Sequence, residues 1–317
     1  MRPRPHLFPA ARHGRSQAAK GQTDMAKLPD AQVPGLHHRR IGDILVSAVS
    51  DGFLNGSNAV LQNISADDAA RMLTEAFRPT PRRGSVNTFL VRSGGRTALI
   101  DTGCGPAMQA NAGQMFRNLA AAGVDPAEID TILMTHLHPD HSNGLTGADG
   151  QALFPNAELA LHAAELAYWD DPASATRAAE TGQGVPYFAT AQVQLAPYRQ
   201  RLRLFEGGEV FPGVTAMPLQ GHTPGHTGYA VASGEDTLLI WGDIVHVPEL
   251  QIQRPEVGMQ FDVEPELAVA TRRRIFDMAA TDRLLVAGMH LHFPGLAHLV
   301  RQGEGYALVP EARDMAF

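Results

Sequence analysis

Four side chains able to bind a metal crowd into six residues, His136-Leu137-His138-Pro139-Asp140-His141. The apolar lead-in Ile132-Leu133-Met134-Thr135 predicts a buried strand running into them. Side chains at i and i+2 of an extended segment share a face, so His136 and His138 can grip one ion together. Pro139 keeps His138 extended and suits the first turn of a helix. Asp140 and His141 then fall past the strand end, offset enough to reach a second ion. Imidazoles combined with a carboxylate suit zinc and similar first-row divalent metals. A loop rich in surface histidines is the bland alternative, and ligand-like spacing speaks against it.

This HxHxDH motif resembles the signature of the metallo-β-lactamase-fold hydrolases. The resemblance implies a downstream His, then a bridging Asp, then a final His, each after a strand. All three occur in order, in Gly221-His222-Thr223-Pro224-Gly225-His226, Leu238-Leu239-Ile240-Trp241-Gly242-Asp243 and Val286-Ala287-Gly288-Met289-His290. Leu99-Ile100-Asp101-Thr102-Gly103 is similar to an early family motif, and Asn87 to Val91 to the strand before it. Ser50-Asp51-Gly52, Trp241-Gly242-Asp243, Phe293-Pro294-Gly295 and Gly303-Glu304-Gly305-Tyr306 resemble the methyl parathion hydrolase branch, which includes lactone and aryl ester hydrolases. The similarity runs from Leu36 to Pro310 and implies an α/β fold, a four-layer αββα sandwich.

Composition fits a globular enzyme: 44% of residues are hydrophobic and 19% charged. A formal charge of -7 argues against a broad basic face for nucleic acid. Cys104 is the only cysteine, so no disulfide can form within the chain. No apolar run approaches a membrane span. Residues 1–35 carry Arg2, Arg4, Arg12, Arg15 and Lys20 with no acid before Asp24. They are expected to be a disordered extension, with Met25 an alternative translation start. Residues 36–317 are expected to form one hydrolase domain, located in the cytoplasm; a homodimer is left open.

Within that domain the pattern predicts strands at Ile44 to Val49, over Asn87 to Asp101 with a turn at Ser93-Gly94-Gly95, and at Leu159 to Leu161. Further strands are predicted at Val214 to Met217, Tyr229 to Ala232, Thr237 to Ile240 and Leu284 to Ala287. Helices are predicted over Ala66 to Ala76 behind a Ser65 cap, Met108 to Ala122, Ala164 to Trp169 and Pro265 to Ala280. Asp170 to Pro197 is only loosely patterned.

The resemblance assigns His136, His138 and His222 to one divalent metal. It assigns Asp140, His141 and His290 to a second, with Asp243 bridging; zinc is the expected ion. It also implies a metal-bridging hydroxide as nucleophile, with Asp140 as the catalytic residue that orients it. His226 is expected to hold a ligand from behind, and His290 is preferred over His292. Asp101 and Asp51 are expected to accept hydrogen bonds under the site, and Cys104 to be packing. The resemblance implies aromatic pocket positions at Tyr168-Trp169 and Tyr187-Phe188, with Trp169, Phe188 and His246 the candidate substrate contacts singled out; core packing competes for the aromatics and a loop contact for His246. The expected substrate is a neutral hydrophobic ester or lactone, with organophosphate triesters as a lesser activity. A dedicated organophosphate hydrolase is the alternative. Another is a mono-iron sulfur dioxygenase.

Overall fold

The computed structural model describes residues 29–181 and 184–312. Most of the expected N-terminal extension, Met25 included, lies outside them.

The first half of the domain makes one sheet and the second half another. In the first sheet β1 (Leu36–Ile41), β2 (Ile44–Gly56), β3 (Arg82–Ser93), β4 (Arg96–Ile100), β5 (Thr131–Leu133), β6 (Glu158–His162) and β7 (Leu202–Phe205) lie side by side in chain order. The second sheet repeats this with β8 (Gly208–Phe211), β9 (Val214–Pro218), β10 (Thr227–Ser233), β11 (Asp236–Ile240), β12 (Leu285–Ala287), β13 (Leu296–Gln302) and β14 (Gly305–Pro310). Pairing is antiparallel except along β4 to β7 and between β11 and β12. A short ribbon pairs Leu61–Gln62 with Gly258–Met259.

Alternation along the strands builds the layers. Ala98 and Ile100 point into the core between the sheets, where they join Leu238, Ile240 and Tyr229. The intervening Leu99 faces outward, into a cluster with Leu119, Trp169 and Leu195. On the second sheet Leu239 and Val286 face outward against Ile275 and Phe276 of a 17-residue helix, Pro265–Thr281. The result is a four-layer αββα sandwich, as the motif pattern implies.

Two expectations need correction. The helix expected from Met108 starts only at Met115 and ends at Ala121. Gly113 has φ +76°, which a right-handed helix cannot accommodate. Its N–H turns to the Asp51 carboxylate at 3.1 Å, and that of Met115 does so at 2.9 Å. The loosely patterned stretch after Asp170 is helical, as Pro172–Thr181 and Gly184–Leu195. Phe188, Ala191 and Leu195 recur at i, i+3 and i+7 and bury on the first sheet's outer cluster. Pro172 and Pro186 obscured that period, yet both sit in first helical turns, where proline is tolerated.

Candidate metal centre

Every ligand candidate lies beside the ends of the central strands, in loops or in the short helical turns Pro139–Ser142 and Gly242–Ile244. Chain leaving β5 carries His136 to His141, that leaving β11 carries Asp243, and that leaving β12 carries His290. His222 sits in the connection from β9 to β10. Backbone bonds lock these loops across the two sheets: Thr227 donates to Thr135 at 2.9 Å, and Asn87 to Met289 at 2.9 Å. The Asn87 amide also reaches the carbonyls of Gly288 and Leu291, fixing the turn that holds His290.

Three ring nitrogens converge first. His136 Nε2 lies 3.0 Å from His138 Nδ1 and 3.2 Å from His222 Nε2, and His138 Nδ1 lies 2.9 Å from His222 Nε2. Tetrahedral ligands at zinc-to-nitrogen distances of about 2.0–2.1 Å would stand about 3.3 Å apart. Beside them, His290 Nε2 and His141 Nε2 lie 3.5 and 3.7 Å from Asp140 Oδ2. Asp243 stands between the groups. Its Oδ1 is 3.2 Å from His141 and 3.3 Å from His290, while its Oδ2 is 3.3 Å from His222 and 3.6 Å from His136.

The far sides of these rings are held. His141 Nδ1 meets Asp101 at 2.7 Å, His222 Nδ1 meets Asp262 at 2.7 Å, His290 Nδ1 meets the Ser85 carbonyl at 2.8 Å, and His136 Nδ1 meets the Thr135 hydroxyl at 3.0 Å. Such outer partners fix ring orientation and leave the inward nitrogen free for a cation. Burial pushes His138 down to about 3, so its ring is neutral. Burial also penalises the Asp243 carboxylate, but His141, His290 and His246 outweigh it and hold its pKa well below the ordinary range.

The residues fit divalent metals on this structure's own terms. His141 Nε2, His290 Nε2 and Asp243 Oδ1 are buried without a hydrogen-bond partner. Orphaned buried polar atoms are costly, and here they point at one another around a common centre. A cation bound there would supply what they lack.

Several expected roles find their places. His226 stands behind the centre, taking the Asp243 N–H on Nε2 at 2.9 Å and donating from Nδ1 to the Leu219 carbonyl at 2.8 Å. Asp101 accepts from the Thr135 backbone and hydroxyl as well as meeting His141. His292 turns away to Glu249 at 2.6 Å. Cys104 is fully buried, and burial pushes its thiol pKa up. His246 comes within 3.0 Å of Asp243 Oδ2 and lines the cavity above the centre.

Of the four aromatic candidates, Tyr187 lines that cavity, whereas Tyr168, Trp169 and Phe188 are not among its lining residues. Trp169 and Phe188 are 1% and 5% exposed, lie with ring centroids 4.6 Å apart and planes tilted by 48°, and belong to the core cluster behind His138. Tyr187, Phe261, Met108 and Leu54 line the cavity of about 260 Å³ instead. Helix geometry explains the exchange: adjacent residues 187 and 188 face different sides, and the core takes Phe188.

Two carboxylates at the site escape sequence reading. Asp262 orients His222. Glu165, 1% exposed, accepts from Leu137 N–H at 2.9 Å, Trp169 Nε1 at 2.6 Å, the Thr223 hydroxyl at 2.6 Å and Gly225 N–H at 3.1 Å. It thereby staples the His136–His138 loop to the His222 loop. A lone acid within the run Ala163-Ala164-Glu165-Leu166-Ala167 was its only local signal; Asp262 had none. Arg82 also lines the cavity.

Known proteins put this arrangement in a class. Residues 81–290 match the metallo-β-lactamase superfamily. The chain belongs to that superfamily. A solved structure described as hydrolase AbOPH of the β-lactamase superfamily is 32% identical, with a TM-score of 0.83 over 89% of this chain and 99% of that one. AidC, a dizinc quorum-quenching lactonase solved with a product, is 22% identical, with a TM-score of 0.81 over 88% of this chain and 98% of its own. At that identity the likeness speaks for the fold. Ribonuclease Z of Mycobacterium avium (strain 104) is 42% identical over 67 residues, 21% of this chain. The chain spans only about a fifth of the length of the curated relatives it matches (20% of that ribonuclease).

Proposed function

We propose that this protein is a binuclear metallohydrolase that cleaves hydrophobic esters or lactones, with phosphotriesters as a lesser activity. The observation that carries the reading is Asp243, whose two oxygens face two adjoining ligand sets. His136, His138 and His222 would hold one cation, Asp140, His141 and His290 the other, with Asp243 shared. Divalent cations bound there would acidify water to a nucleophile at neutral pH and polarise the ester oxygen. Zinc suits the donor set.

The chain's own residues supply the rest. Asp140 Oδ2 faces His141 and His290, which leaves Oδ1 to take a proton from the attacking water and return it to the leaving oxygen. Its side chain is 20% exposed, the most accessible carboxylate of the cluster, and it lines the cavity. Leu54, Met108, Tyr187 and Phe261 exclude water around an apolar leaving group. The formal charge of -7 favours a small substrate over a nucleic acid.

Elemental analysis of protein purified without chelator should find two divalent metals per chain. A stoichiometry fixed near one iron, with no gain on adding zinc, cobalt or manganese, would contradict the binuclear reading and favour a mono-iron oxygenase. Steady-state kinetics should rank dihydrocoumarin and phenyl acetate above methyl parathion in kcat/KM. The reverse order would make the protein a dedicated organophosphate hydrolase.

A further inference from the structure

The cavity beside the candidate metal ligands is also lined by a cation that makes no hydrogen bond or ion pair among the described residues. Arg82 begins β3, and strand alternation sends it and Arg83 to opposite faces. Arg83 stacks over Phe53 at 4.7 Å, while Arg82 lines the cavity shared with Asp140, His246 and His290. Its Nε is buried with no hydrogen-bond partner, and among the described residues no carboxylate lies within ion-pair distance of its guanidinium. Glu249, whose field reaches Arg82, is already engaged by Arg78 and by His292. The polar wall nearby is satisfied too, since Gln109 exchanges hydrogen bonds with the Asn55 backbone.

The guanidinium also has a seat. A Cβ on Gly56 would lie 2.7 Å from Arg82 Cζ and 2.9 Å from both terminal nitrogens. No positive φ requires glycine at position 56. What the missing side chain provides is room for the flat guanidinium to lie against the strand. Arg82 is half-buried and its buried Nε lacks a partner, so the guanidinium is incompletely satisfied, and its geometry matches a carboxylate held by two parallel hydrogen bonds.

We propose that Arg82 is a substrate-binding residue that receives a carboxylate carried by the substrate. The preferred substrates are then hydrophobic esters or lactones bearing an acidic group away from the scissile bond. The inference rests on the ester or lactone hydrolase reading above, and its test separates the two.

Metal-loaded, full-length protein is assayed on phenyl butyrate and on phenyl hydrogen succinate, glutarate and adipate, whose differing lengths sample the reach from metal to arginine. The quantity read is kcat/KM for the best acidic ester divided by that for phenyl butyrate. Calorimetry with the uncleaved amide counterparts, N-phenylglutaramate and butyranilide, reads the same discrimination without turnover. Wild type should prefer the acidic member in both assays. In R82M the ratio should fall about tenfold or more, chiefly through KM, as expected for a lost charge-assisted pair. R82K should retain part of the preference, and G56A, which keeps the charge but displaces it, should lose part. An unchanged ratio in R82M, or in both R82K and G56A should R82M fail to fold, overturns the proposal. If wild type cleaves no ester yet binds the acidic amide through Arg82, the hydrolase reading falls and the carboxylate site stands. Equal binding of both amides by wild type removes the site whatever is cleaved.

Discussion

The floor and the wall of one cavity are built on opposite plans. On the floor, four of the five imidazoles of the proposed ligand set have the far nitrogen engaged, and the inward atoms have no freedom to choose a new direction. On the wall, Tyr187 and Met108 meet the cavity through apolar surface, and Arg82 has no ion-pair partner among the described residues. The floor is pre-organised for a fixed chemistry, because developing charge is best met by groups that need not move. The wall is largely apolar surface, with Arg82 and the Gln109–Asn55 hydrogen bonds as its polar part. Changes there can alter what is bound without altering what is done to it, so floor and wall substitutions should separate into kcat and KM effects.

The largest effect should come from Asp140→Asn, which keeps volume but removes a ligand charge and the proton acceptor. Turnover should fall about 10³-fold with the fold intact, a loss typical of a missing acid-base group. Near-normal activity at full metal content would take Asp140 out of the mechanism and weaken the case for a rigid floor.

Glu165→Ala probes the floor from behind. It leaves four donors without their acceptor and frees two ligand loops from each other. Activity should fall about 10- to 100-fold. Stability should drop by about 1–3 kcal/mol, the usual cost of stranded buried donors. Urea melts and metal analysis check both, and Glu165→Gln, which keeps two acceptor lone pairs, should recover part of each. A stability loss with kcat and metal content unchanged would make Glu165 a packing residue rather than a positioning one.

Tyr187→Ala should act on the wall alone. A rise in KM of about tenfold is expected on aryl esters, the scale of a lost apolar contact in a pocket, with kcat kept within a small factor. A kcat loss as large as that of the Glu165 variant would erase the distinction between the two surfaces.

Much of this was written locally. The apolar run before His136, the i/i+2 histidines and the strand-plus-ligand segments at Asp243 and His290 announce both sheets and the centre between them. Strand ends and short-range spacing are properties of contiguous residues, so they survive in one dimension. The start of the Met115 helix did not show, because it depends on how Asp51, 62 residues before Gly113, captures the backbone there.

By itself, then, the sequence determined the ligand types, their order and the strands that carry them, since each depends on neighbours in the chain. Tertiary structure alone decided which atoms meet. The division of Asp243's oxygens between two ligand sets, the choice of Tyr187 over Phe188 and Trp169 for the wall, and the seating of Arg82 against Gly56 arise only when the sheets pack. So do the carboxylates under the floor: Glu165 meets Thr223 across 58 residues, and Asp262 meets His222 across 40. Hydrogen bonds between residues so far apart impose no period on the intervening chain, and a buried partner is visible only once both surfaces that bury it are in place.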